Sequence, residues 1–264
     1  MDPRLQSLAD ALWRAEQTRS PIPPLTDEHA NLTVEDAYRI QLANVERRVA
    51  AGDLVVGHKI GLTSKPMQLQ LGVDQPDFGH LFRSMWFDSG ASVDFPLLQP
   101  KVEPEIAFIL AEDLVGPGVD MHRVFAATRA VVPAIEIIDS RIADWRIRLV
   151  DTVADNASAG CFVLGSLPTA LSGVDLETVG GVLKVNGEVV QTGAGAAVMG
   201  HPAKAVAWLA NTLTELGTPL RAGHVVLSGA VSAAQPIQPG DHVHLSFGPL
   251  GTVEFVWAKK EGSA

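Results

Sequence analysis

The first fifty residues place apolar side chains at helical spacing. Leu5, Leu8 and Leu12 recur every three or four positions, as they do on the buried face of an amphipathic helix. The segment Ser20–Pro24 is rich in proline, which cannot continue a helix. Thr33 then precedes acidic residues, a pattern typical of an N-cap at the start of a second helix. The pattern predicts a small helical region at the N-terminus.

From Val55 the pattern changes to short apolar runs interrupted by glycine, proline and aspartate, which indicates many strands. Asn186 and Gly187 favour a type I′ turn between two of these strands. Two helices interrupt the series. One covers residues 120–130 and begins with an aspartate N-cap, and the other covers residues 201–216 and ends before a glycine.

These elements predict an α+β protein with a mixed, mostly β core and a small helical N-terminal region. The chain has 264 residues, a length that fits one large domain or one domain with a small cap. We place the boundary so that residues 1–85 form the helical cap region and residues 86–264 form the β-rich catalytic core.

Two glutamates stand at the start of the most continuous apolar run. Glu103 and Glu105 precede the apolar segment Ile106–Leu110, and in an extended chain their carboxylates point the same way, roughly 6 to 7 Å apart. One interpretation is a surface ladder in which Lys101 neutralises them in water. The strand lacks the polar alternation of an exposed face, which favours a metal-binding or catalytic role.

A third glutamate, Glu136, is the only ionisable residue in the apolar run Val131–Ile138. A structural ion pair is one explanation, because a glutamate is almost never fully buried without a partner. If Glu136 converges with Glu103 and Glu105, three hard oxygen ligands without thiolate or imidazole favour Mg²⁺ or Mn²⁺ over zinc. Asp139 is then a candidate for the outer shell of the site.

Three further polar residues are candidates for the same site. Lys59 lies in a short apolar strand between two glycines; alone it is a surface lysine, but an acidic metal site that binds an anionic substrate needs a cation beside it. Asp77 lies in a segment with proline and glycine, where it either caps a turn or acts as a base. Ser158 ends a polar cluster that begins at Asp151 and is suited either to turn capping or to binding a substrate carboxylate.

Composition narrows the classes of partner. The formal net charge of −10 leaves no basic surface for nucleic acid or anionic membranes, so a small soluble substrate is expected. The chain has one cysteine, and it shows neither a signal-peptide pattern nor the run of about 18 to 20 apolar residues that a membrane span needs. We therefore expect a cytoplasmic protein.

The order of several motifs resembles the 2-hydroxypenta-2,4-dienoate hydratases, also called 2-keto-4-pentenoate hydratases, of the fumarylacetoacetase superfamily. The motifs are GHKIGLTS (57–64), QPDFGHL (75–81), VEPEIAF (102–108), PAIEIIDSRIADWRIRLVDTVADNAS (133–158) and LSGAV (227–231). The resemblance implies a mixed β-roll core, a homo-oligomer, and addition of water to 2-hydroxypenta-2,4-dienoate in the catabolism of aromatic compounds by ring meta-cleavage. It also implies a Mg²⁺ or Mn²⁺ site with these roles: metal ligands Glu103, Glu105 and Glu136, catalytic groups Lys59 and Asp77, and substrate contact near Ser158.

The same motifs are similar to 4-oxalocrotonate decarboxylase, which acts on a 2-oxo dicarboxylic acid. Under that alternative, Arg141, Arg146 or Arg148 would bind the second carboxylate. A second alternative is a non-catalytic partner subunit, because relatives of this family can associate with a pathway neighbour. The stretch IADWRIRLVDTVADNAS (142–158) is more similar to the hydratases than to the decarboxylase, and the complete acidic set argues against a non-catalytic subunit.

Overall fold

A computed structural model describes residues 2–259, apart from the side chains of residues 70 and 71. The helices are α1 (Pro3–Thr18), α2 (Leu25–Glu28), α3 (Val34–Ala50), α4 (Lys65–Leu71), α5 (Met121–Ala127), α6 (Leu149–Ala154) and α7 (Pro202–Glu215). The first strands are β1 (Val55–Gly61), β2 (Asp77–Phe82), β3 (Trp86–Asp88), β4 (Ala91–Val93), β5 (Lys101–Leu110), β6 (Thr128–Ile138) and β7 (Ala159–Leu164). The remaining strands are β8 (Gly180–Val185), β9 (Glu188–Ala194), β10 (Val225–Ala230), β11 (Gln235–Pro236), β12 (His242–Phe247) and β13 (Gly251–Trp257).

The strands form two mixed sheets. The larger sheet has eight strands in the order β2-β1-β10-β5-β6-β7-β3, with β11 paired to β5, and the smaller has the order β4-β13-β12-β8-β9. Strands β1 and β10 run parallel, whereas β5 is antiparallel to both β10 and β6. The predicted α+β class with a mixed β core is confirmed.

The N-terminal helices form as their capping signals predict. The Thr33 hydroxyl accepts a hydrogen bond from the Asp36 backbone N–H, and the Asp36 carboxylate accepts one from the Thr33 backbone N–H, which completes a capping box. Leu5, Leu8 and Leu12 are buried in an apolar cluster that also contains Ile40 of α3. Helix α3 therefore packs against both α1 and α6.

The division at residue 85 stays a prediction. The sheet pairings show which strands before residue 85 share a sheet with strands after it. Strands β1 and β2 precede residue 85, yet they hydrogen-bond within the same sheet as β5 and β6. The helical part ends at Ala50. Residues 260–264 of the predicted core lie outside the described residues. In the part of the chain that the structure describes, no helix combines the length and apolar character needed to cross a bilayer.

The hairpin at Asn186 and Gly187 is confirmed: both residues have positive φ, 53° and 86°, as a type I′ turn requires. The helix expected over residues 120–130 is too long by three residues. It ends at Ala127, and Thr128 begins β6. Pairing of β6 with β5 from Thr128 onward overrides local helical preference, as tertiary contacts often do.

Arg141 is a buried cation that ties the chain after β6 to the chain after α6. Its Nε donates to Asp155 Oδ1, and its Nη1 donates to the Ala159 carbonyl at 2.9 Å. Removal of one partner of a buried ion pair leaves an uncompensated charge. We therefore expect Arg141→Met to lower the free energy of unfolding by about 3 to 5 kcal/mol, measured by urea denaturation.

The matched control is Arg39→Met. Arg39 pairs with Glu35 one helical turn away, and both side chains are more than half exposed, so its removal is expected to cost at most about 0.5 kcal/mol. Equal effects of the two substitutions would contradict a structural role for the buried pair.

Candidate active site

Glu103, Glu105 and Glu136 converge in the larger sheet. Glu103 lies directly opposite Glu136 in the antiparallel pair of β5 and β6. Glu105 follows Glu103 on the same face because side chains alternate along a strand. One carboxylate oxygen from each residue lies within 4.8 Å of the others. The structure thus brings together the three predicted ligands, and their binding of a metal stays a prediction.

The glutamate cluster is buried and incompletely hydrogen-bonded. Glu105 and Glu136 are fully inaccessible to solvent, and neither the two Glu136 oxygens nor Glu105 Oε1 accepts a hydrogen bond. Burial, reinforced by repulsion from neighbouring carboxylates, raises the pKa of Glu105 and of Glu136. Buried carboxylates without partners are costly, so orphaned hard oxygens in this arrangement fit a divalent cation such as Mg²⁺ or Mn²⁺.

Lys59 lies beside the cluster, as predicted. Its Nζ is 3.4 Å from Glu136 Oε1 and donates a hydrogen bond of 2.9 Å to the Ala157 carbonyl. Burial alone would lower the pKa of Lys59, but the charges of Glu136 and Asp77 outweigh burial and raise it. The buried ammonium is therefore charged at neutral pH and offsets part of the negative charge of the site.

Asp77 also faces this region, although the local turn interpretation of its segment is wrong. Asp77 is the first residue of β2 and pairs with Gly61 of β1. A Cβ at position 61 would lie only 2.2 Å from Asp77 Oδ1, so a glycine is required there. Burial raises the pKa of Asp77, and the charge of Lys59 opposes that rise. Asp77 Oδ1 is buried and has no hydrogen-bond partner.

Ser158 ends a backbone segment in an unusual conformation. Asn156, Ala157 and Ser158 have consecutive positive φ angles of 55°, 50° and 54°, a region that residues other than glycine seldom adopt. The Ser158 hydroxyl shares a hydrogen bond of 3.1 Å with Thr152. Such strain persists where surrounding contacts impose it, often at a functional site.

Four of the six candidate residues line one cavity with a volume of ≈ 430 Å³; Glu105 and Glu136 are not among its lining residues. We call it the inner cavity. Its polar lining residues include Lys59, Asp77, Glu103 and Ser158, and its apolar walls include Ile138. The size is typical of a small-molecule site. Fixed carboxylates, an ammonium and a protonatable aspartate can bind an anionic small molecule through a divalent ion and move protons along it.

Three comparisons with known proteins bear on this site. The model of the fumarylacetoacetate hydrolase C-terminal domain matches residues 47–256. The chain is 49% identical over 249 residues to a 2-keto-4-pentenoate hydratase from Paraburkholderia xenovorans, with 94% of this chain and 93% of that protein covered. It is 47% identical over 251 residues to a 2-hydroxyhexa-2,4-dienoate hydratase from Comamonas testosteroni, with 94% and 95% covered.

A solved structure agrees in fold along nearly the whole chain. The 4-oxalocrotonate decarboxylase from Pseudomonas putida G7, complexed with magnesium and adipate, superposes with a TM-score of 0.94 and 38% identity, covering 97% of this chain and 98% of that one. The chain belongs to the fumarylacetoacetate hydrolase family. The predicted superfamily fold is therefore confirmed.

In this family member, sequence reasoning missed two residues that shape the site. The Gly229 backbone N–H donates to Glu105 Oε2 at 2.8 Å. The Asn156 side chain accepts a hydrogen bond from the His80 N–H and donates one to the His80 carbonyl, at 2.8 and 3.0 Å. The two Asn156 hydrogen bonds attach the strained segment 156–158 to β2. The only available signals were an asparagine, which tolerates positive φ, and a glycine inside a strand.

Asp139 does not join the site as an outer-shell group. Its carboxylate accepts hydrogen bonds from the backbone N–H groups of Leu98 and Gln99 and lies 3.9 Å from Arg141. The polar cluster that ends at Ser158 also contains a residue with a structural role. Asp151 accepts hydrogen bonds from Thr26 and caps the chain there, so the capping interpretation holds for it.

Two buried histidines, His58 of β1 and His80 of β2, predict that the folded protein loses stability in acid. Burial, together with the charge of His224, lowers the pKa of His80 to about 4, while burial lowers the pKa of His58 well below its usual value. An unfolded histidine titrates near 6.5, so the unfolded state binds more protons below that pH. The stability contributed by neutral His80 is complete above a pH of about 6.5 and is lost as the pH falls toward about 4, by about 3 kcal/mol in total.

The measurement is urea denaturation at pH values of about 7.5 and about 5. The His80→Asn variant is the control, since it removes one titrating ring and leaves His58. It is expected to lose less stability over this interval than the unmodified chain. An identical loss in both proteins would assign the acid sensitivity to other groups.

Proposed function

We propose that the chain is a hydratase that adds water to 2-hydroxypenta-2,4-dienoate and forms 4-hydroxy-2-oxopentanoate, in the catabolism of aromatic compounds by ring meta-cleavage. The observation that carries the proposal is the buried cluster of Glu103, Glu105 and Glu136 beside Lys59. It occurs in a chain that is 49% identical to a named 2-keto-4-pentenoate hydratase over nearly its full length.

The proposed cofactor is Mg²⁺ or Mn²⁺, bound by Glu103, Glu105 and Glu136. The orphaned oxygens of Glu105 and Glu136 fit such an ion, and the similar decarboxylase was solved with magnesium. When bound, the ion would supply Lewis-acid polarisation of a 2-oxo acid. Glu103 is the partly exposed member of the cluster and lines the inner cavity, so the acid would reach the ion from that side.

The residues of the chain support two successive proton movements. First the dienol loses its 2-hydroxyl proton and gains one at C5, which gives a conjugated 2-oxo-3-enoate. Water then adds its hydroxyl to C4 and a proton goes to C3. The Lys59 ammonium stabilises negative charge on the 2-oxygen, since it is charged and desolvated. Asp77, which lines the same cavity and whose pKa is raised by burial, would hold or release the proton as a general acid–base group.

Ser158 is proposed to orient the substrate. Its hydroxyl lines the inner cavity and is fixed by Thr152. The Ala157 carbonyl accepts a hydrogen bond from the Lys59 ammonium. The strained segment 156–158 therefore positions both the Lys59 cation and the Ser158 hydroxyl. This arrangement keeps donors close to the carboxylate end of the substrate.

The 4-oxalocrotonate decarboxylase reaction is the second candidate, favoured by the likeness to that solved enzyme. Its substrate has a second carboxylate, for which the sequence offered three arginines. Arg141 is bonded to Asp155, Arg146 pairs with Asp27 at 3.6 Å, and Arg148 donates to the Thr26 carbonyl. None of the three lines the inner cavity, which favours the hydratase.

One assay distinguishes the candidates. The purified chain, supplemented with Mg²⁺ or Mn²⁺, is offered 2-hydroxypenta-2,4-dienoate and 4-oxalocrotonate in parallel, and formation of 4-hydroxy-2-oxopentanoate is measured against release of CO₂. We expect hydration of the dienoate and its loss in excess chelator, restored by adding the ion back. Release of CO₂ alone would identify a decarboxylase, and turnover of neither acid would identify the non-catalytic partner subunit.

Assembly and location complete the proposal. We expect a homo-oligomer that is able to associate with a pathway neighbour and that works in the cytoplasm. Light scattering after size-exclusion chromatography measures the first. The net charge of −10 gives no support to nucleic acid as a partner.

A further inference from the structure

A second cavity of ≈ 450 Å³ adjoins the inner cavity. We call it the outer cavity. Its walls are largely apolar and include Phe95, Leu97, Ile237 and Trp257. Two side chains, Lys101 and Trp145, line both cavities. The two spaces are therefore neighbours separated at that point by one lysine and one tryptophan.

Trp145 is fixed at this boundary by contacts on both sides. Its indole N–H donates to the Gln99 carbonyl at 3.1 Å, and the Lys101 ammonium lies 4.2 Å from the ring centroid, a cation–π geometry. Gln99 is itself held, because its amide oxygen accepts a hydrogen bond from the Asp144 N–H.

The backbone of Trp145 supports a functional position. Asp144 and Trp145 have φ angles of 58° and 55°, and a bulky residue at positive φ is a genuine outlier. Strain of this kind is kept where the surrounding structure imposes it. The sequence could place a smaller residue or a glycine here with less strain, yet it places the largest side chain.

The position of Lys101 relates the boundary to the proposed substrate. Lys101 precedes Glu103 on the same face of β5, and it lies opposite Ile138 on β6. An acid whose carboxylate end faces the glutamates and whose chain runs outward along these strands meets Lys101 and Trp145 next. Lys101 makes no ion pair with another of the described side chains, and its ammonium lies over the Trp145 ring.

We infer that Lys101 and Trp145 form a partition that sets the length of the distal group on the substrate. The partition closes the inner cavity behind a short tail and keeps a longer apolar tail out of the outer cavity. This inference rests on the proposed function for the orientation of the acid. It deepens that function by assigning a specificity residue, Trp145, which touches the tail and not the reacting atoms.

The test is a comparison of binding, which does not depend on turnover. Dissociation constants of 2-oxopentanoate and 2-oxodecanoate are measured by calorimetry on the Mn²⁺-supplemented protein. Opening the partition with Trp145→Ala is expected to shift the ratio of the two constants at least about tenfold toward the longer acid, because each buried methylene adds affinity. Trp145→Phe, which retains a ring, is expected to shift the ratio less.

Two further variants keep the outcome decisive. Adding Ile237→Trp to Trp145→Ala refills the outer cavity and is expected to remove the gain. Trp13→Ala, which removes a tryptophan of α1 that lines neither cavity, is expected to retain the original ratio. If Trp145→Ala does not fold, Lys101→Ala is measured in its place, because it shortens the other side chain of the partition, and a shift in the same direction is expected.

The possible failures are distinct. An unchanged ratio in folded Trp145→Ala, or in folded Lys101→Ala as its substitute, overturns the partition and leaves the proposed hydratase intact. Equal gains in Trp145→Ala and Trp13→Ala overturn it as well. Failure of both acids to bind to the unmodified, Mn²⁺-supplemented chain overturns the proposed site and the partition together.

Discussion

Replacement of Glu105 by glutamine is expected to lower kcat/KM for the dienoate by about a thousandfold while the protein stays folded. Glutamine preserves the shape of the side chain but removes one of three negative charges from the cluster. Because those buried charges repel one another, the metal-free Glu105→Gln protein is expected to have a higher Tm than the metal-free parent. Added Mn²⁺ should then raise the Tm of the parent more than that of the variant.

The combination of readouts separates metal binding from general damage. Glu112→Gln is the matched control, because Glu112 is exposed and pairs with Arg123 at the surface; it should leave kcat/KM and the Mn²⁺ response unchanged. Full turnover by Glu105→Gln in excess chelator would contradict a metal-dependent reaction at these residues.

Replacement of Lys59 by methionine is expected to reduce kcat by about a hundredfold to ten-thousandfold. The substitution removes the cation 3.4 Å from Glu136 Oε1 and the donor to the Ala157 carbonyl. The remaining site is more negative, so affinity for Mn²⁺ should stay the same or increase. Lost turnover with retained metal affinity is the signature expected of a group that acts on the substrate.

Calorimetric titration with Mn²⁺ and a steady-state assay check this pair of effects. Lys204→Met, at an exposed position of α7, is the control and should match the parent in both. A Lys59→Met protein that keeps the kcat of the parent would assign Lys59 to the structure alone.

The glutamate cluster was predictable because the glutamates that each strand contributes stand out in the sequence of that strand. Glu103 and Glu105 were visible as same-face residues of one strand, and Glu136 as the lone charge of another, since strand periodicity is fixed at two. The register that sets Glu103 opposite Glu136 is a nonlocal property. The resemblance to a known family implied that the three glutamates share one site, but no pattern in the sequence predicted this register.

Other features depend on contacts that no local pattern encodes. The turn interpretation of Asp77 failed because pairing with Gly61 makes that residue part of a strand in spite of the neighbouring proline and glycine. The role of Asn156 was missed because its two hydrogen bonds reach His80, 76 residues away. Arg141 was considered as a substrate ligand, whereas its guanidinium forms an ion pair with the carboxylate of Asp155, which follows α6.

The pairing of Glu103 with Glu136 has a consequence for how this chain tolerates length changes. Side-chain direction alternates with every residue, so a single insertion inside β5 after Glu103 would turn Glu105 to the opposite face. An insertion in the connection between β5 and β6, such as beside Gly118, leaves that alternation intact. An insertion between Glu103 and Glu105 therefore changes which side chains face the site. The connection between β5 and β6 can lengthen without changing the residues of the site.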